Sequence, residues 1–430
     1  MTPAGLPSAP QGSAQAGHLD VFFNEERVGA VYDTSPLSFD YSAEWLARRP
    51  AAQVAAITLA AGRTDAPAVQ AFFENLLPEG DLRHYLAISR KASTLYALLL
   101  ETAGDTAGGF VIMPAGTKPP PPQYTPTSWE ALAQRLSGKS ATAIDIRSRG
   151  TRISLAGAQD KSSIAIFSDG VPQLAHGASP SSHILKPDIR RLPDVWHSAA
   201  NESLIMLTAA GCGLPTAEVF YEPHTHACVV RRFDRVAQAD GRLGRLIQYD
   251  LCQLSGVVSE KKYEKEGGPG LVQCAQLVRQ YSAVPAIDLK NLLAWVFFNL
   301  YTCNNDSHAK NLSVYQPLGQ GVRLTPFYDL MCTRVYPGLS GDFAFAIGGE
   351  TVPGALTQAH VRQMAKDLGV GPAFALQVAS DMAQRLPAAL DAAAQSLLPT
   401  LSPGAASLVE RVQKLVLRTT RQMVKRLTAS

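Results

Sequence analysis

Hydrophobic and polar positions alternate over residues 18–35 in the way that two short paired strands require. Apolar runs at 19–23 and 28–32 flank a polar turn at 24–27, and this arrangement is typical of a β-hairpin. The pattern predicts that the first ordered part of the chain begins with two antiparallel strands.

Apolar residues then recur at three- and four-residue steps around 68–77 and 94–100, which predicts two helices. An apolar strand follows at 109–113. Together with the hairpin, these elements predict a small N-terminal α/β subdomain over residues 18–116.

Consecutive prolines at 119–122, with Pro126 soon after, interrupt the hydrophobic pattern. Because proline lacks an amide donor and fixes its φ angle, such a run cannot continue a helix or the centre of a sheet. Proline-rich segments are instead stiff and extended. We therefore expect residues 117–128 to be a linker.

Strand-like patterns dominate after the linker. Short apolar runs at 164–167, 183–186 and 228–230 predict strands. One helix is predicted between them at about 201–210, because glycines and a proline follow it directly. The sequence predicts a strand-rich lobe over residues 129–245.

The pattern turns helical for the rest of the chain. Leucine, valine and phenylalanine at helical spacing predict a buried helix over residues 289–300, and 408–427 reads as a basic amphipathic helix. The predicted fold is therefore α+β, with an all-helical second lobe at 246–430. Two lobes in this order suit a kinase that clamps a nucleotide, although fold alone does not give function.

Composition narrows the possible classes of protein. The 430 residues are 46% hydrophobic and 17% charged, which excludes a wholly disordered chain. Only residues 1–17, rich in Ala, Pro, Gly and Ser, are predicted to be a disordered lead-in. A net charge of +3 gives no bulk signature of nucleic-acid binding.

Cysteine usage and hydropathy favour the cytoplasm. The six cysteines form no C-x-x-C pair, so a disulfide scaffold is not expected. The longest strongly apolar run, 292–298, is far shorter than the ~20 residues that span a bilayer. No signal-peptide pattern is present at the N-terminus.

The densest polar cluster, residues 304–311, directly follows the predicted buried helix. Asp306 and Asn311 have the D-x-x-x-x-N spacing of a kinase catalytic loop. In such a loop the carboxylate orients the hydroxyl that attacks the γ-phosphate, and the amide oxygen helps to hold magnesium. Asp329 follows after a short strand pattern, where a second metal-binding carboxylate is expected. Each acid alone would suit a turn or a helix cap, but both in this order predict phosphate transfer.

Three further stretches fit a nucleotide site less specifically. Residues 153–162 form a turn of small side chains that could let backbone amides approach phosphate oxygens, although a plain hairpin turn explains it as well. Lys186 ends a predicted strand, where it could bind phosphate or simply face water, and Glu202 could pair with it. Residues 230–235 could form the hinge that meets adenine.

Two alternatives compete for other polar residues. His224, His226 and Cys228 alternate and could share one strand face as zinc ligands, but no fourth ligand is near in sequence. The C-terminal helix could contact nucleic acid, although a solvated charged face is the plainer interpretation. Its basic residues are Arg411, Lys414, Arg418, Arg421, Lys425 and Arg426.

These motifs together resemble the HipA family of toxin serine/threonine kinases. Residues 153–161 resemble the family's I-S-x-A-G-A-Q-x-K loop, 306–311 its D-x-H-A-K-N loop, and 324–329 its L-T-P-F-Y-D segment. Weaker matches include residues 75–80. The resemblance extends from about residue 18 to 427.

The resemblance implies an ATP- and Mg²⁺-dependent kinase and gives roles to individual residues. Asp306 would be the catalytic carboxylate, with His308 and Lys310 near the transferred group. Asn311 and Asp329 would hold the metal, and Ser154 would be an autophosphorylation site that silences the enzyme. The expected nucleotide contacts are Ala156, Gly157, Ala158, Gln159, Asp160, Lys161, Lys186, Arg231, Phe233, Gln253, His308, Asn311, Tyr328 and Asp329.

The resemblance also implies partners. The expected protein substrate is an aminoacyl-tRNA synthetase, with glutamyl-tRNA synthetase as the first candidate, so that phosphorylation would stop translation and favour persistence. A HipB-like helix-turn-helix antitoxin would bind the kinase and bring it to operator DNA. Two alternatives stay open, namely a catalytically weak co-repressor that acts with the antitoxin, and a small-molecule phosphotransferase.

Overall fold

The computed structural model describes residues 17–48, 53–102, 104–137, 161–190 and 192–428. These residues form sheets and helices in the predicted α+β class, arranged as an N-terminal subdomain and two lobes. Among the described helices, none combines the length and apolar character that a membrane crossing requires.

The N-terminal subdomain is an antiparallel sheet with helices packed on it. The sheet has the order β3-β2-β1-β4, and its first two strands confirm the predicted hairpin. Phe39, Phe72, Phe73 and Phe110 fill its core with ring-to-ring contacts. Its elements are β1 (His18–Phe23), β2 (Glu26–Tyr32), β3 (Ser38–Tyr41), α1 (Ala43–Arg48), α2 (Pro67–Asn75), α3 (Gly80–Ser89), α4 (Leu95–Thr102) and β4 (Phe110–Pro114).

The strand-rich lobe contains one six-stranded sheet with the order β5-β7-β6-β8-β10-β9. Helix α6 starts and ends close to the predicted bounds, and most of its residues are buried. The elements of this lobe are β5 (Gln123–Pro126), α5 (Trp129–Leu136), β6 (Ser162–Ile166), β7 (Pro172–His176), β8 (His183–Pro187), α6 (Ser198–Gly211), β9 (Val219–Glu222) and β10 (Ala227–Arg231).

The predicted linker at 117–128 is only partly a connection, because its last residues form strand β5. This strand pairs antiparallel with β7, from Gln123 opposite His176 to Pro126 opposite Gln173. Pro126 is tolerated because β5 lies at the edge of the sheet, where no second neighbour needs its missing amide. The linker is therefore shorter than the proline content predicts.

The second lobe is not all-helical as predicted. It also carries a three-stranded sheet, whose strands are two or three residues long and so give no readable alternation. Before this lobe begins, β11 (Arg235–Ala237) and β12 (Leu243–Arg245) form a separate two-stranded sheet. The elements of the second lobe are β13 (Gln248–Asp250), α7 (Leu251–Ser255), α8 (Leu271–Tyr281), α9 (Pro285–Thr302), β14 (Ser313–Tyr315), β15 (Arg323–Leu324), α10 (Gln358–Asp367), α11 (Pro372–Leu397) and α12 (Pro403–Thr428).

Helix α9 is the buried axis of this lobe. Phe297 is fully buried, in agreement with the predicted apolar face, and Trp295 and Phe298 outside that face are fully buried as well. The helix ends at Cys303, whose φ angle of 61° is left-handed and turns the chain sharply. The polar cluster at 304–311 begins directly after this turn, so its position depends on a largely buried helix.

A buried network of charges joins the N-terminal subdomain to the strand-rich lobe. Asp105 lies 2.7 Å from Arg235 and 3.3 Å from Arg232. Arg232 also pairs with Asp234 at 2.8 Å. Burial raises the pKa of Asp105, but the two arginines lower it further and keep it below its ordinary value. The subdomain is therefore fixed to the lobe by ionised groups inside the protein.

Candidate active site

A cleft of about 510 Å³ lies between the two lobes, and the N-terminal subdomain also reaches it through Asn75 and Glu79. Its volume is within the usual range for sites that bind small molecules. The cleft brings together side chains that are far apart in sequence. Among those lining it are Lys161, Lys186, Phe233, Asp306, Asn311 and Asp329.

Lys186 is the charged centre of the cleft. Its ammonium donates to Glu202 Oε1 at 2.5 Å and to Asp329 Oδ1 at 2.7 Å. Strand β8 supplies the lysine and helix α6 supplies the glutamate, so the pair connects two elements of the strand-rich lobe. Burial lowers the pKa of Lys186, but Asp329 and Glu202 outweigh it and the pKa lies above its ordinary value.

Asp329 faces the cleft from a strained position. Its φ angle is 60°, a left-handed conformation that non-glycine residues seldom adopt. Phe327, two residues earlier, is buried and is held on both sides, since its amide donates to the Pro215 carbonyl and its carbonyl accepts from the Ala217 amide. Although burial raises the pKa of Asp329, Lys186 and Lys161 lower it well below its usual range. The carboxylate is therefore ionised, and it already pairs with the Lys186 ammonium.

The loop after helix α9 holds Asp306 and Asn311 in one short turn. The Asn311 Nδ2 donates to the Asp306 carbonyl at 2.9 Å, and the Asp306 side chain is 54% exposed. Because the amide nitrogen of Asn311 is used within the loop, its Oδ1 is the group suited to a metal. Amide and carboxylate oxygens from Asn311 and Asp329 make the hard donor set that magnesium prefers.

His308 lies beside the carboxylate of Asp306. Its Nε2 is 3.8 Å from Asp306 Oδ1. Burial lowers the pKa of His308 to about 4, more than the nearby acids raise it. The imidazole is therefore neutral near pH 7 and can accept or donate a hydrogen bond.

Lys310 lines the cleft, and its ammonium is held by groups of the N-terminal subdomain and the second lobe. Its ammonium donates to Asn75 Oδ1 at 2.5 Å, to the Asn75 carbonyl at 3.2 Å and to Asp250 Oδ2 at 3.0 Å. An ammonium has three protons, and these three bonds use them all. Lys310 therefore links the N-terminal subdomain to the second lobe beneath the catalytic loop.

The predicted adenine end of the cleft is aromatic. The ring of Phe233 lies 5.7 Å from that of Tyr315 and 5.6 Å from that of Tyr328. The Arg231 amide already donates to the Glu218 carbonyl at 2.8 Å, so adenine could use only the carbonyl of this residue. Phe233 and Tyr328 thus offer the apolar surface, while Arg231 has fewer free backbone groups than predicted.

Gln253 is engaged within its own helix. Its Oε1 accepts from the Asp250 amide at 3.0 Å, and Asp250 Oδ1 accepts from the Gln253 amide at 2.7 Å. This reciprocal pair is a capping box. Gln253 lines the cleft, but its carbonyl oxygen is already used to start helix α7.

The predicted phosphate loop lies mostly outside the described residues. This applies to Ser154, Ala156, Gly157, Ala158, Gln159 and Asp160. Lys161, the first described residue after it, is half-buried in the cleft. Burial and the charge of Lys186 lower the pKa of Lys161 to about 8.

Sequence reasoning gave no role to four residues that contact the catalytic loop or its neighbours. Asn75 and Asp250 hold Lys310, and Tyr263 donates a hydrogen bond to Asp306. Glu79 Oε2 accepts from Lys262 at 2.7 Å at the edge of the same cleft. Asn75 and Glu79 lie in the stretch at 75–80 that resembles the family, and this resemblance is the only signal that the sequence offers for them.

The two competing sites gain no support from the structure. His224 pairs with Glu222 at 2.9 Å and Cys228 is buried in strand β10. Among the described residues, no three His, Cys, Asp or Glu side chains are grouped as metal ligands. In helix α12, Arg426 donates to backbone carbonyls and Arg411 lies over the Trp196 ring. At least these two basic side chains are therefore engaged in contacts within the protein.

Comparison with protein families covers most of the chain. A model of the HipA-like C-terminal domain matches residues 153–390. A model of the HipA N-terminal domain matches residues 19–113.

Individual relatives agree with these matches. Y4mE of Sinorhizobium fredii is 36% identical over 312 residues, which cover 70% of this chain and 73% of that protein. The serine/threonine-protein kinase toxin HipA of Shewanella oneidensis is 29% identical over 357 residues, covering 79% and 80%. A solved complex of Shewanella oneidensis HipA, HipB and operator DNA contains a similar chain, with a TM-score of 0.81, 25% identity and coverage of 95% and 97%.

Proposed function

This chain belongs to the HipA family and is a serine/threonine kinase, and from that premise we propose that it is the toxin of a toxin–antitoxin module. The single observation that carries the proposal is the cleft in which Lys186, Glu202 and Asp329 face Asp306 and Asn311. We assign ATP and Mg²⁺ to this cleft. We also propose a cytoplasmic location, because the expected substrate, an aminoacyl-tRNA synthetase, acts in translation.

Each residue then has a defined task. Lys161 and Lys186 hold phosphate oxygens, and the rings of Phe233 and Tyr328 cover the base. Asn311 and Asp329 hold the metal, which neutralises charge on the phosphates when bound. Neutral His308 lies beside Asp306 in the catalytic loop. Lys310 is a positioning residue that fixes this loop through Asn75 and Asp250.

Asp306 acts on the acceptor. It accepts a hydrogen bond from a serine or threonine hydroxyl and takes its proton as the new oxygen–phosphorus bond forms. The bond between the γ-phosphorus and the bridging oxygen breaks, and ADP leaves. Because Asp306 is half exposed, a protein side chain can reach it from solvent.

We further propose that the target is an aminoacyl-tRNA synthetase, with glutamyl-tRNA synthetase tested first, so that phosphorylation stops translation. Autophosphorylation at Ser154 would silence the kinase, because about two added negative charges beside the triphosphate site would repel ATP. Both proposals rest on the resemblance of the motifs to the family.

A HipB-like helix-turn-helix antitoxin is the proposed protein partner. The relative from Shewanella oneidensis was solved with HipB and operator DNA, which supports the same assembly here. With a net charge of +3, we expect contact with operator DNA to depend mainly on the antitoxin. A catalytically weak co-repressor would bind in the same way, so catalysis has to be measured directly.

Incubation with radiolabelled ATP and Mg²⁺ tests the catalytic assignment. The wild-type chain should become labelled, with the label at Ser154, and Asp306→Asn should abolish labelling. Asp342→Asn is the matched control, because Asp342 also lines the cleft but is exposed and has no assigned role. Labelling that persists in Asp306→Asn would contradict the role of Asp306. Labelling that is absent in the wild type would favour the co-repressor.

A further inference from the structure

Tyr263 contacts the catalytic carboxylate although no motif includes it. Its hydroxyl donates a hydrogen bond to Asp306 Oδ1. Its ring packs edge-on against His308, with centroids 5.0 Å apart and an interplanar angle of 85°. The phenol is therefore held from two sides at the residue that, in the proposed function, acts on the acceptor.

The segment that carries Tyr263 is anchored to the N-terminal subdomain. Lys262 Nζ donates to Glu79 Oε2 at 2.7 Å. Ser259 donates to both oxygens of Glu74, from its amide at 2.8 Å and from its hydroxyl at 2.7 Å. Both glutamates are buried, so these contacts fix the segment from the side of helices α2 and α3.

The other end of the segment is anchored to the second lobe. Glu264 Oε2 accepts from the Ala346 amide at 2.8 Å. A turn then follows in which Gly267 has a φ angle of 85°, and a Cβ at Gly268 would lie 2.0 Å from the Lys261 carbonyl oxygen. The close approach requires glycine and defines one path for the chain. Tyr263 thus sits on a segment that is held at both ends.

We propose that Tyr263 is a positioning residue for Asp306, and that the N-terminal subdomain sets its place through Glu74 and Glu79. A donor on Oδ1 fixes the rotation of the carboxylate and leaves Oδ2 for the acceptor hydroxyl. The inference rests on the proposed function, because it requires Asp306 to act on the acceptor. It gives the N-terminal subdomain an indirect part in catalysis, through the segment that carries Tyr263.

The protonation of Tyr263 agrees with a donor role. Burial and the adjacent charge of Asp306 raise the pKa of Tyr263 above its ordinary value. The phenol therefore keeps its proton throughout the range in which a kinase works. The ammonium groups of Lys262 and Lys265 lie 5.5 Å and 5.9 Å from the centroid of the Tyr263 ring.

The contact between Tyr263 and Asp306 could also inhibit the kinase, and the direction of the change in the rate of phosphate transfer distinguishes the two roles. A hydroxyl at Oδ1 could also take the place of the acceptor and so block the reaction. Positioning predicts that loss of the hydroxyl slows phosphate transfer, whereas blocking predicts that it speeds transfer. The two anchors favour positioning, because a blocking group has to move away in every cycle.

The test is Tyr263→Phe, which keeps the ring against His308 and removes only the hydroxyl. Phosphate transfer from radiolabelled ATP to glutamyl-tRNA synthetase, the proposed target, is measured for kcat and for the KM of ATP. A hydrogen bond to a charged and half-exposed group predicts about a tenfold fall in kcat. The KM of ATP should stay within about twofold, since the hydroxyl acts on Asp306 and not on the nucleotide.

Three further variants make the result interpretable. Tyr85→Phe removes a hydroxyl from an exposed tyrosine of the N-terminal subdomain and should leave kcat unchanged. Glu79→Gln should lower kcat by less than Tyr263→Phe and should add little to it in the double variant, because both act through one hydroxyl. Asp306→Asn should abolish transfer.

An unchanged or higher kcat in Tyr263→Phe would overturn the inference, provided that Asp306→Asn is inactive, and the proposed function would stand. A rise in the KM of ATP that matches the fall in kcat would also overturn it, because the hydroxyl would then act on nucleotide binding. Activity retained in Asp306→Asn would instead overturn the proposed role of Asp306, and this inference with it.

Discussion

The Lys186 ammonium lies 2.5 Å from Glu202 Oε1, and both side chains are almost completely buried. A buried ion pair is held in place because each charge compensates the desolvation of the other. Removing one partner is therefore much more damaging than replacing both by apolar groups. Comparing the single and the double variant therefore separates the contribution of the pair to stability from the proposed contact of Lys186 with ATP.

Lys186→Met should destabilise the protein, because Glu202, which is 1% exposed, would remain inside without its partner. We expect the free energy of unfolding to fall by about 3 kcal/mol, measured by urea denaturation. The double variant Lys186→Met/Glu202→Leu should recover most of that loss and still transfer no phosphate. A double variant as unstable as the single one would show that packing, and not charge, explains the loss.

Asp105 provides a second test of buried charge, separate from the pair of Lys186 and Glu202. It is fully buried and faces Arg232, Arg235 and Arg245, so Asp105→Asn leaves an excess of positive charge between the N-terminal subdomain and the strand-rich lobe. The expected loss in the free energy of unfolding is again about 3 kcal/mol, measured by thermal and urea unfolding.

The exposed pair of Arg231 and Glu218 is the matched control for that experiment. Its side chains are 62% and 73% exposed, and such pairs contribute little because water screens them. Glu218→Gln should change the free energy of unfolding by less than about 0.5 kcal/mol. If Glu218→Gln were as damaging as Asp105→Asn, burial would not be the cause.

Much of the fold and of the site was readable from the sequence because the signals are local. The hairpin at 18–35, the buried helix ending before Asp306 and the D-x-x-x-x-N spacing each lie within a short window. Lys186 and Glu202 were also identified as possible partners. These residues lie on regular elements, whose periodicity fixes the direction of their side chains.

The remainder depends on contacts between distant parts of the chain. Lys310 and Asn75 are separated by 235 positions, and Tyr263 and Asp306 by 43. No local sequence pattern predicts that the Lys310 ammonium donates its hydrogen bonds to Asn75, far away in the sequence. The pairing of β5 with β7 is not predicted for the same reason. The nearby prolines indicate a linker, and only the position of β7 shows that residues 123–126 form an edge strand.

Lys310→Met tests whether this lysine supports the loop or binds phosphate. Because its three donors are used by Asn75 and Asp250, we expect a loss of about 3 kcal/mol in the free energy of unfolding. The affinity for a fluorescent ATP analogue should change by less than about twofold in conditions where the variant is folded. A large loss of affinity without a loss of stability would place Lys310 at the nucleotide instead.

The affinity for ATP should depend on the protonation of Lys161. In the protein without nucleotide the pKa of Lys161 is about 8, because burial and Lys186 disfavour its charge. The proposed contact with phosphate needs the ammonium form. As pH rises through 8, the free protein loses this proton, and binding ATP must take it up again.

A titration with a fluorescent ATP analogue at pH 7, 8 and 9, at constant ionic strength, measures this effect. Between pH 7 and 9 the dissociation constant should rise by about tenfold, since the protonated fraction falls by about that factor. Lys161→Arg stays charged over this range and should show no such rise. A rise of equal size in Lys161→Arg would assign the titration to another group, and a flat wild-type profile would remove Lys161 from the phosphate site.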